Sequence, residues 1–172
     1  MAKGTLPTQA ELRREFDYDP ITGALTWRVM FQQRSKHGGR AGTLTSERPR
    51  VMYHSHVYLV HRLIWCWMTG DWPSSRIDHK DRDPSNNCWD NLRLATASQN
   101  RANAKCRHDS VSGLKGVTRR GRKWRAHIGV DSKMVWLGTF DTPEEAQSAY
   151  MTAATARHGE FANDGAAQER GR

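Results

Sequence analysis

Between Ile77 and Asn100 the chain carries a series of local signals that few folds can satisfy together. Ile77-Asp78-His79-Lys80 begins like a strand and sets a carboxylate beside an imidazole. Asp83-Pro84-Ser85-Asn86-Asn87 is rich in turn formers. Leu92-Arg93-Leu94 is a second short strand, and Thr96 is a helix N-cap whose capping box is completed by Gln99. The predicted order is strand, loop, strand, helix. It puts Asp78 and His79 at the end of one element and Asn100 in the first turn of the helix. A ββα unit of this kind can hold one divalent cation between a carboxylate and an amide oxygen, with a histidine beside it as base.

The frame Ile77, Asp78, His79, Asp83, Asn87, Asn91, Leu92, Arg93, Ala95, Thr96, Gln99, Asn100 and Asn103 resembles the HNH nuclease motif in its phage and intron-associated branch. The resemblance implies that His79 is the general base that activates water. It implies that Asp78 and Asn100 ligate the metal and that Asn91 orients the His79 ring through a hydrogen bond. A second stretch also matches the family pattern, through His61, Arg62, Leu63, Trp65, Thr69, Gly70, Trp72 and Pro73. His61 lies outside the ββα motif, and the expectation for it is a structural or phosphate-facing role.

Composition agrees with a polyanionic partner. Lys and Arg total 27 against 18 Asp and Glu, a formal net charge of +9 over 172 residues. That excess suits nucleic acid, although a merely soluble basic protein would show it too. With 37% hydrophobic residues, each core must be small. No apolar run is long enough to span a membrane and no secretion signal is visible, so the expected compartment is the cytoplasm. Cys66, Cys88 and Cys106 are an odd, scattered set, which predicts free thiols. No CxxC pair is present, so a structural zinc is not expected.

From the N-terminus, Thr8 and Glu11 suggest a capped helix over residues 8 to 17, with Ala10, Leu12 and Phe16 on one face. Asp19-Pro20 and Thr22-Gly23 are turn signals, and Leu25 and Trp27 alternate as in a strand. This opening is similar to the lead-in of many phage HNH proteins and predicts a supporting β-module. Residues 31 to 50 form a basic loop with Arg34, Lys36, His37, Arg40, Arg48 and Arg50, which either lies on phosphates or is simply solvated. A strand from Val51 leads to a helix with Val60, Leu63, Ile64, Trp67 and Met68 in register, stopped by Gly70. The helix that starts at Ala97 is expected to run on through Arg101, Lys105 and Arg107. The polar stretch 108–113 then reads as a linker. The predicted division is a supporting module at 1–50, a nuclease module at 51–107, a second domain at 114–164 and a tail at 165–172.

The second domain reads as strands at 114–120, 123–130 and 133–140, then a helix with Thr142 as N-cap, Pro143 at its first position and Glu145 closing a capping box. Ala146, Ala149, Tyr150, Ala153 and Ala154 share one helical face. Strand alternation puts Trp124, Ala126, Ile128 and Val130 under the helix with Val117, Val135 and Leu137. Thr118, Arg120, Arg125, His127 and Trp136 fall on the opposite face. Uncovered, basic and aromatic, that face suits a major groove, although Trp136 also reads as an exposed packing aromatic.

The stretch containing Gly116-Val117, Trp124-Arg125-Ala126-His127-Ile128, Trp136-Leu137-Gly138-Thr139-Phe140 and Ala149-Tyr150 resembles the AP2 DNA-binding domain over most of 112–164. The resemblance sets Thr118, Arg120, Arg125, His127, Trp136 and Thr139 at or beside DNA-contacting positions. Thr118 and His127 depart from the plant members, which commonly carry Arg and Glu there, so no base preference transfers.

The expected fold class is α+β, with an N-terminal ββα-metal (HNH) module followed by an AP2-like three-stranded antiparallel sheet and helix. The expected function is hydrolysis of phosphodiester bonds in double-stranded DNA with Mg2+ or Mn2+, by a homing-endonuclease-like enzyme that cuts one strand or both as monomer or dimer. The rival is a non-catalytic, sequence-specific DNA-binding regulator that keeps an idle HNH frame.

Overall fold

The computed structural model describes residues 6–28, 38–43, 48–106, 110–130 and 133–165. Arg34, Lys36 and His37 of the basic loop lie outside the described residues, as do Asp131 and Ser132 between the last two expected strands. Among the described residues the structure is mixed α and β, with four α-helices and small sheets. It divides into two compact units, Met1–Leu94 and Ala95–Arg172.

The first unit opens with helix α1 (Gln9–Glu15). Thr8 Oγ1 accepts from Glu11 N at 3.3 Å, and the Glu11 carboxylate accepts from Thr8 N at 2.8 Å, which forms the predicted capping box. Strands β1 (Phe16–Asp19) and β2 (Ala24–Trp27) make an antiparallel hairpin with Phe16 opposite Trp27. Asp19 Oδ1 accepts from Ile21 N at 2.9 Å inside its turn, and Gly23 leaves the turn at φ +71°. A side chain at Gly23 would meet Cys88 N at 2.4 Å and Asn87 C at 2.5 Å. The glycine is therefore required both by its dihedral and by the chain packed on it.

A second hairpin follows, β3 (Arg50–Tyr53) with β4 (His56–Leu59), and leads straight into α2 (Val60–Thr69). Gly70 caps α2 in the left-handed conformation, as the sequence predicts. Strand β5 (Arg76–His79) pairs with β6 (Leu92–Ala95), and Trp89–Asn91 form a short 3-10 turn just before β6. Leu12, Phe16, Leu25, Val51, Tyr53, Leu63, Ile64, Ile77 and Leu92 belong to one buried cluster. Helix α2 therefore packs in the same core as both strands of the motif, and the N-terminal hairpins share that core as well.

The second unit begins at the end of β6. Helix α3 (Ala97–Asn103) has the Thr96 and Gln99 capping box that the sequence predicts. It stops at Asn103, short of the expected continuation through Lys105 and Arg107. Lys115 Nζ donates to the carbonyls of Ala102 and Ala104, and Asn163 Nδ2 donates to Ala102 O at 3.1 Å. Those side chains take the carbonyls of the last turn, and Cys106 N turns away to Gly165 O at 3.1 Å. Ala95 and Ala102 are buried with Phe161. This packing sets the division between units at Leu94 and Ala95, upstream of the polar stretch 108–113.

Strands β7 (Val117–Arg120), β8 (Lys123–Val130) and β9 (Lys133–Phe140) form one antiparallel sheet in that order. Helix α4 (Pro143–His158) lies on one face of it, capped by Thr142 with Glu145. Ala126, Ala146 and Ala154 are fully buried, and Tyr150 packs with Ile128. Small alanines let the helix approach the sheet closely. One expectation fails: Val135 pairs with Ile128 yet is 41% exposed. Alternation puts it on the helix face, but it is not buried there.

Candidate functional site

In the first unit, β5 ends on Asp78 and His79, both buried, at 5% and 8% exposure. His79 Nε2 lies 3.1 Å from Asn87 Oδ1, while Asn87 Nδ2 reaches Ser85 O at 3.5 Å. With the amide oriented this way, Nε2 carries the ring proton and donates it to Asn87. The opposite nitrogen, Nδ1, keeps the lone pair that a base requires. Burial lowers the pKa of the His79 ring, against the raising effects of Asn87, Asp81 and Asp78. The shift favours the neutral ring, which is the form able to accept a proton.

The sequence expectation for Asn91 needs correction. Its side chain does not meet the His79 ring. Asn91 Oδ1 accepts from Asp81 N at 3.0 Å, and Asn91 Nδ2 donates to Asp81 Oδ1 and Asn86 O, both at 2.8 Å. Asn91 therefore pins the backbone that leaves His79, and Lys80 N donates to Asn91 O at 2.9 Å. The ring partner is Asn87, which is 2% exposed. Two asparagines in one turn-rich loop look alike in sequence, and only the path of the loop decides which turns inward. That path is braced by the first hairpin. Tyr18 Oη donates to Asn87 O at 2.8 Å, Trp89 N donates to Pro20 O at 2.9 Å, and Gly23 sits against Asn87 and Cys88. The supporting module thus sets the residue that holds His79.

Asp78 Oδ2 accepts from Arg93 Nε at 2.9 Å, with both side chains almost wholly buried. Arg93 stands within the motif, but nothing in the sequence signals this pairing. The guanidinium already supplies positive charge to the carboxylate that the resemblance assigns to a metal. Among the described residues, no three His, Cys, Asp or Glu side chains come together as a metal cluster. A carboxylate such as that of Asp78 and an amide oxygen such as that of Asn100 are each hard donors of the kind that Mg2+ or Mn2+ takes. Asn100 lies in α3, half-buried, in the second unit, whereas Asp78 and His79 lie in the first.

The five residues expected on the free sheet face do share one, and Thr139 joins them. Thr118 pairs with Arg125, Arg125 with Thr139, His127 with Trp136, and Arg120 with Lys123. A bulge between Ala126 and His127 keeps Trp136 on that face. The Arg125 guanidinium lies 4.7 Å from the centre of the Trp136 ring, and Trp136 is 52% exposed. Lys123 joins the same face as a further cation, beyond those expected from the sequence. Helix α4 occupies the opposite face.

His61 departs from its phosphate-facing alternative. It is 4% exposed on α2, and its ring centre lies 5.3 Å from that of His79 at an interplanar angle of 82°.

Residues 58–102 match the HNH endonuclease family, and the chain belongs to that family. It is similar to Protein 3.8 of Escherichia phage T7, at 33% identity over 118 residues that cover 97% of that protein and 66% of this chain. Among the described residues, no helix is long and apolar enough to cross a membrane.

Proposed function

We propose that the chain is a metal-dependent DNA endonuclease that hydrolyses phosphodiester bonds. The observation that carries this reading is the buried His79, held at Nε2 by Asn87 beside Asp78, inside the stretch that matches the HNH family. In the proposed mechanism, Nδ1 of His79 takes a proton from water as the water oxygen attacks the phosphate. Asn87 holds the ring and its tautomer, and Asn91 fixes the backbone just beyond it. Asp78 and Asn100 would hold Mg2+ or Mn2+, which supplies stabilisation of charge on the phosphate and the leaving oxygen. Arg93 holds Asp78 in place until then. The test is supercoiled plasmid incubated with Mg2+ or Mn2+ and, in parallel, with EDTA. Relaxed or linear product only in the metal lanes is the expected result. Unchanged plasmid in every lane leaves the rival, a DNA-binding protein with an idle nuclease frame.

The second unit is proposed as the DNA anchor, with an AP2-like mode of docking. Support comes from Thr118, Arg120, Lys123, Arg125, His127, Trp136 and Thr139 on one uncovered face. Arginine on such a face can reach guanine edges or phosphates. Arg125→Ala should weaken DNA binding and reduce the slope of log affinity against log salt by about 1, if its contact is to a phosphate. A binding titration at several salt concentrations checks this. Unchanged affinity and slope would move the anchor elsewhere, with the basic loop at 31–50 as the next candidate.

A further inference from the structure

The second unit holds a pocket of about 400 Å³ at the end of its three-stranded sheet. Helix α3 lines one wall with Ser98, Arg101 and Ala102, which stand at i, i+3 and i+4 and so share a helical face. The side chains of Arg101, Lys115, His127, Lys133 and His158 all line the pocket, and among the described residues no carboxylate does. Lys115 is fixed there by its bonds to the carbonyls of Ala102 and Ala104. Arg101 and Lys133 are exposed, and neither side chain has a hydrogen-bond or ion-pair partner among the described residues. Ile128, Met134 and Tyr150 supply an apolar part of the wall. Cations gathered in a concavity with low-dielectric walls attract anions more strongly than the same charges on a flat surface.

Strand β8 brings a backbone donor to the same pocket. His127 N donates to Gly116 O at 2.9 Å, and β7 pairs with β8 no further than Val117 opposite Ala126. Gly129 is the next residue whose N–H and C=O point to that edge, and β7 does not reach them. A glycine inside a strand weakens it, and often marks a bulge or the close approach of another group. The bulge of this sheet lies between Ala126 and His127, not at Gly129. A Cβ built on Gly129 would meet nothing within 4 Å, so packing does not require the glycine. We propose that this pocket binds a phosphate of the DNA backbone, with Arg101 and Lys133 as its cations and the Gly129 N–H as a donor. The inference rests on the reading of the second unit as the DNA anchor. Alternation places Gly129 in the row of Arg125 and His127, so the pocket continues the proposed docking face along β8. Arg125 and Gly129 stand four residues apart, roughly 13 Å along an extended strand, which one DNA segment can cover. The apolar wall suits the sugar that joins neighbouring phosphates.

The experiment measures affinity for duplex DNA at several salt concentrations, and melting temperature with and without inorganic phosphate, in the full chain. The variants are Gly129→Val, Arg101→Gln combined with Lys133→Gln, and Arg125→Ala. Valine favours a strand, meets no neighbour at its Cβ and leaves every charge in place, so Gly129→Val should fold at least as well as wild type while it fills the space before the N–H. The expected result for Gly129→Val is DNA binding weaker by roughly tenfold, about the loss of one charge-assisted hydrogen bond, at an unchanged or higher melting temperature. The combined Arg101→Gln and Lys133→Gln variant should lower the slope of log affinity against log salt by about 1, one phosphate contact. If Arg125→Ala is weakened while both pocket variants keep wild-type affinity and slope, the proposal is overturned. A lower slope in the combined variant with wild-type binding by Gly129→Val also overturns it, because the charges then act without the pocket. If inorganic phosphate raises the melting temperature of wild type but not of Gly129→Val, and Gly129→Val binds DNA normally, the pocket takes free phosphate and DNA is overturned as its occupant. If Gly129→Val is poorly folded, the combined variant decides the matter, and a wild-type slope overturns the proposal. If Arg125→Ala and both pocket variants all bind as wild type, the reading of the second unit as the anchor is what has failed, and the pocket falls with it.

Discussion

His79→Ala should lower the rate of DNA cleavage by about 10²–10⁴ and leave DNA affinity near that of wild type, since a positioned general base contributes about that much. The substitution removes a ring that is 8% exposed and leaves Asn87 Oδ1 without its donor, while the cations and aromatics of the free sheet face are untouched. Asn87→Ala is the companion variant. It keeps the imidazole but releases its tautomer and plane, so it should cut more slowly than wild type and faster than His79→Ala. Asn91→Ala acts on the loop backbone rather than the ring, and its defect should appear first as lost thermal stability. The pH profile has a definite sign. Burial depresses the His79 pKa, so the neutral base survives to lower pH than an ordinary histidine, whose pKa is about 6.5. The acid limb of the cleavage rate should therefore lie below that value. Single-turnover cleavage across pH, with binding measured in parallel, checks each point. Wild-type cutting by His79→Ala would remove His79 from the role of base.

The largest expected stability effect belongs to Arg93→Ala. Arg93 and Asp78 meet at 2.9 Å with side chains 10% and 6% exposed, which is a buried ion pair. Such a pair adds little beyond an apolar replacement, but removing one partner leaves charge buried beside it and costs about 3–5 kcal/mol. That is a large share of the roughly 5–15 kcal/mol that holds a domain folded. Asp78→Asn in the same chain removes the charge that Arg93 balances, so the double variant should be more stable than Arg93→Ala alone. A divalent ion can take over the role of the guanidinium. If Asp78 is a metal ligand, Mg2+ should therefore raise the melting temperature of Arg93→Ala by more than that of wild type. Thermal denaturation with and without Mg2+ decides it. Equal shifts in the two proteins would count against Asp78 as a ligand.

Local chemistry makes much of this fold legible in the sequence. The capping boxes at Thr8, Thr96 and Thr142 and the stop at Gly70 depend on residues within a turn of one another, and each falls where the sequence predicts. The free face of the second sheet is also readable, because alternation along a strand needs no knowledge of the rest of the chain. Four features need the tertiary structure. Asn87 rather than Asn91 holds His79 because the first hairpin presses the loop inward through Tyr18, which is 69 residues away from Asn87 in sequence. Arg93 pairs with Asp78 because β5 and β6 lie side by side. Helix α3 ends early and joins the second unit because Lys115, Phe161 and Asn163 take up its last turn and its buried face. His61 reaches His79 because α2 packs in the core that holds β5. In each case the deciding partner lies far along the chain, where short-range periodicity carries no signal, so only the packed fold brings the two together.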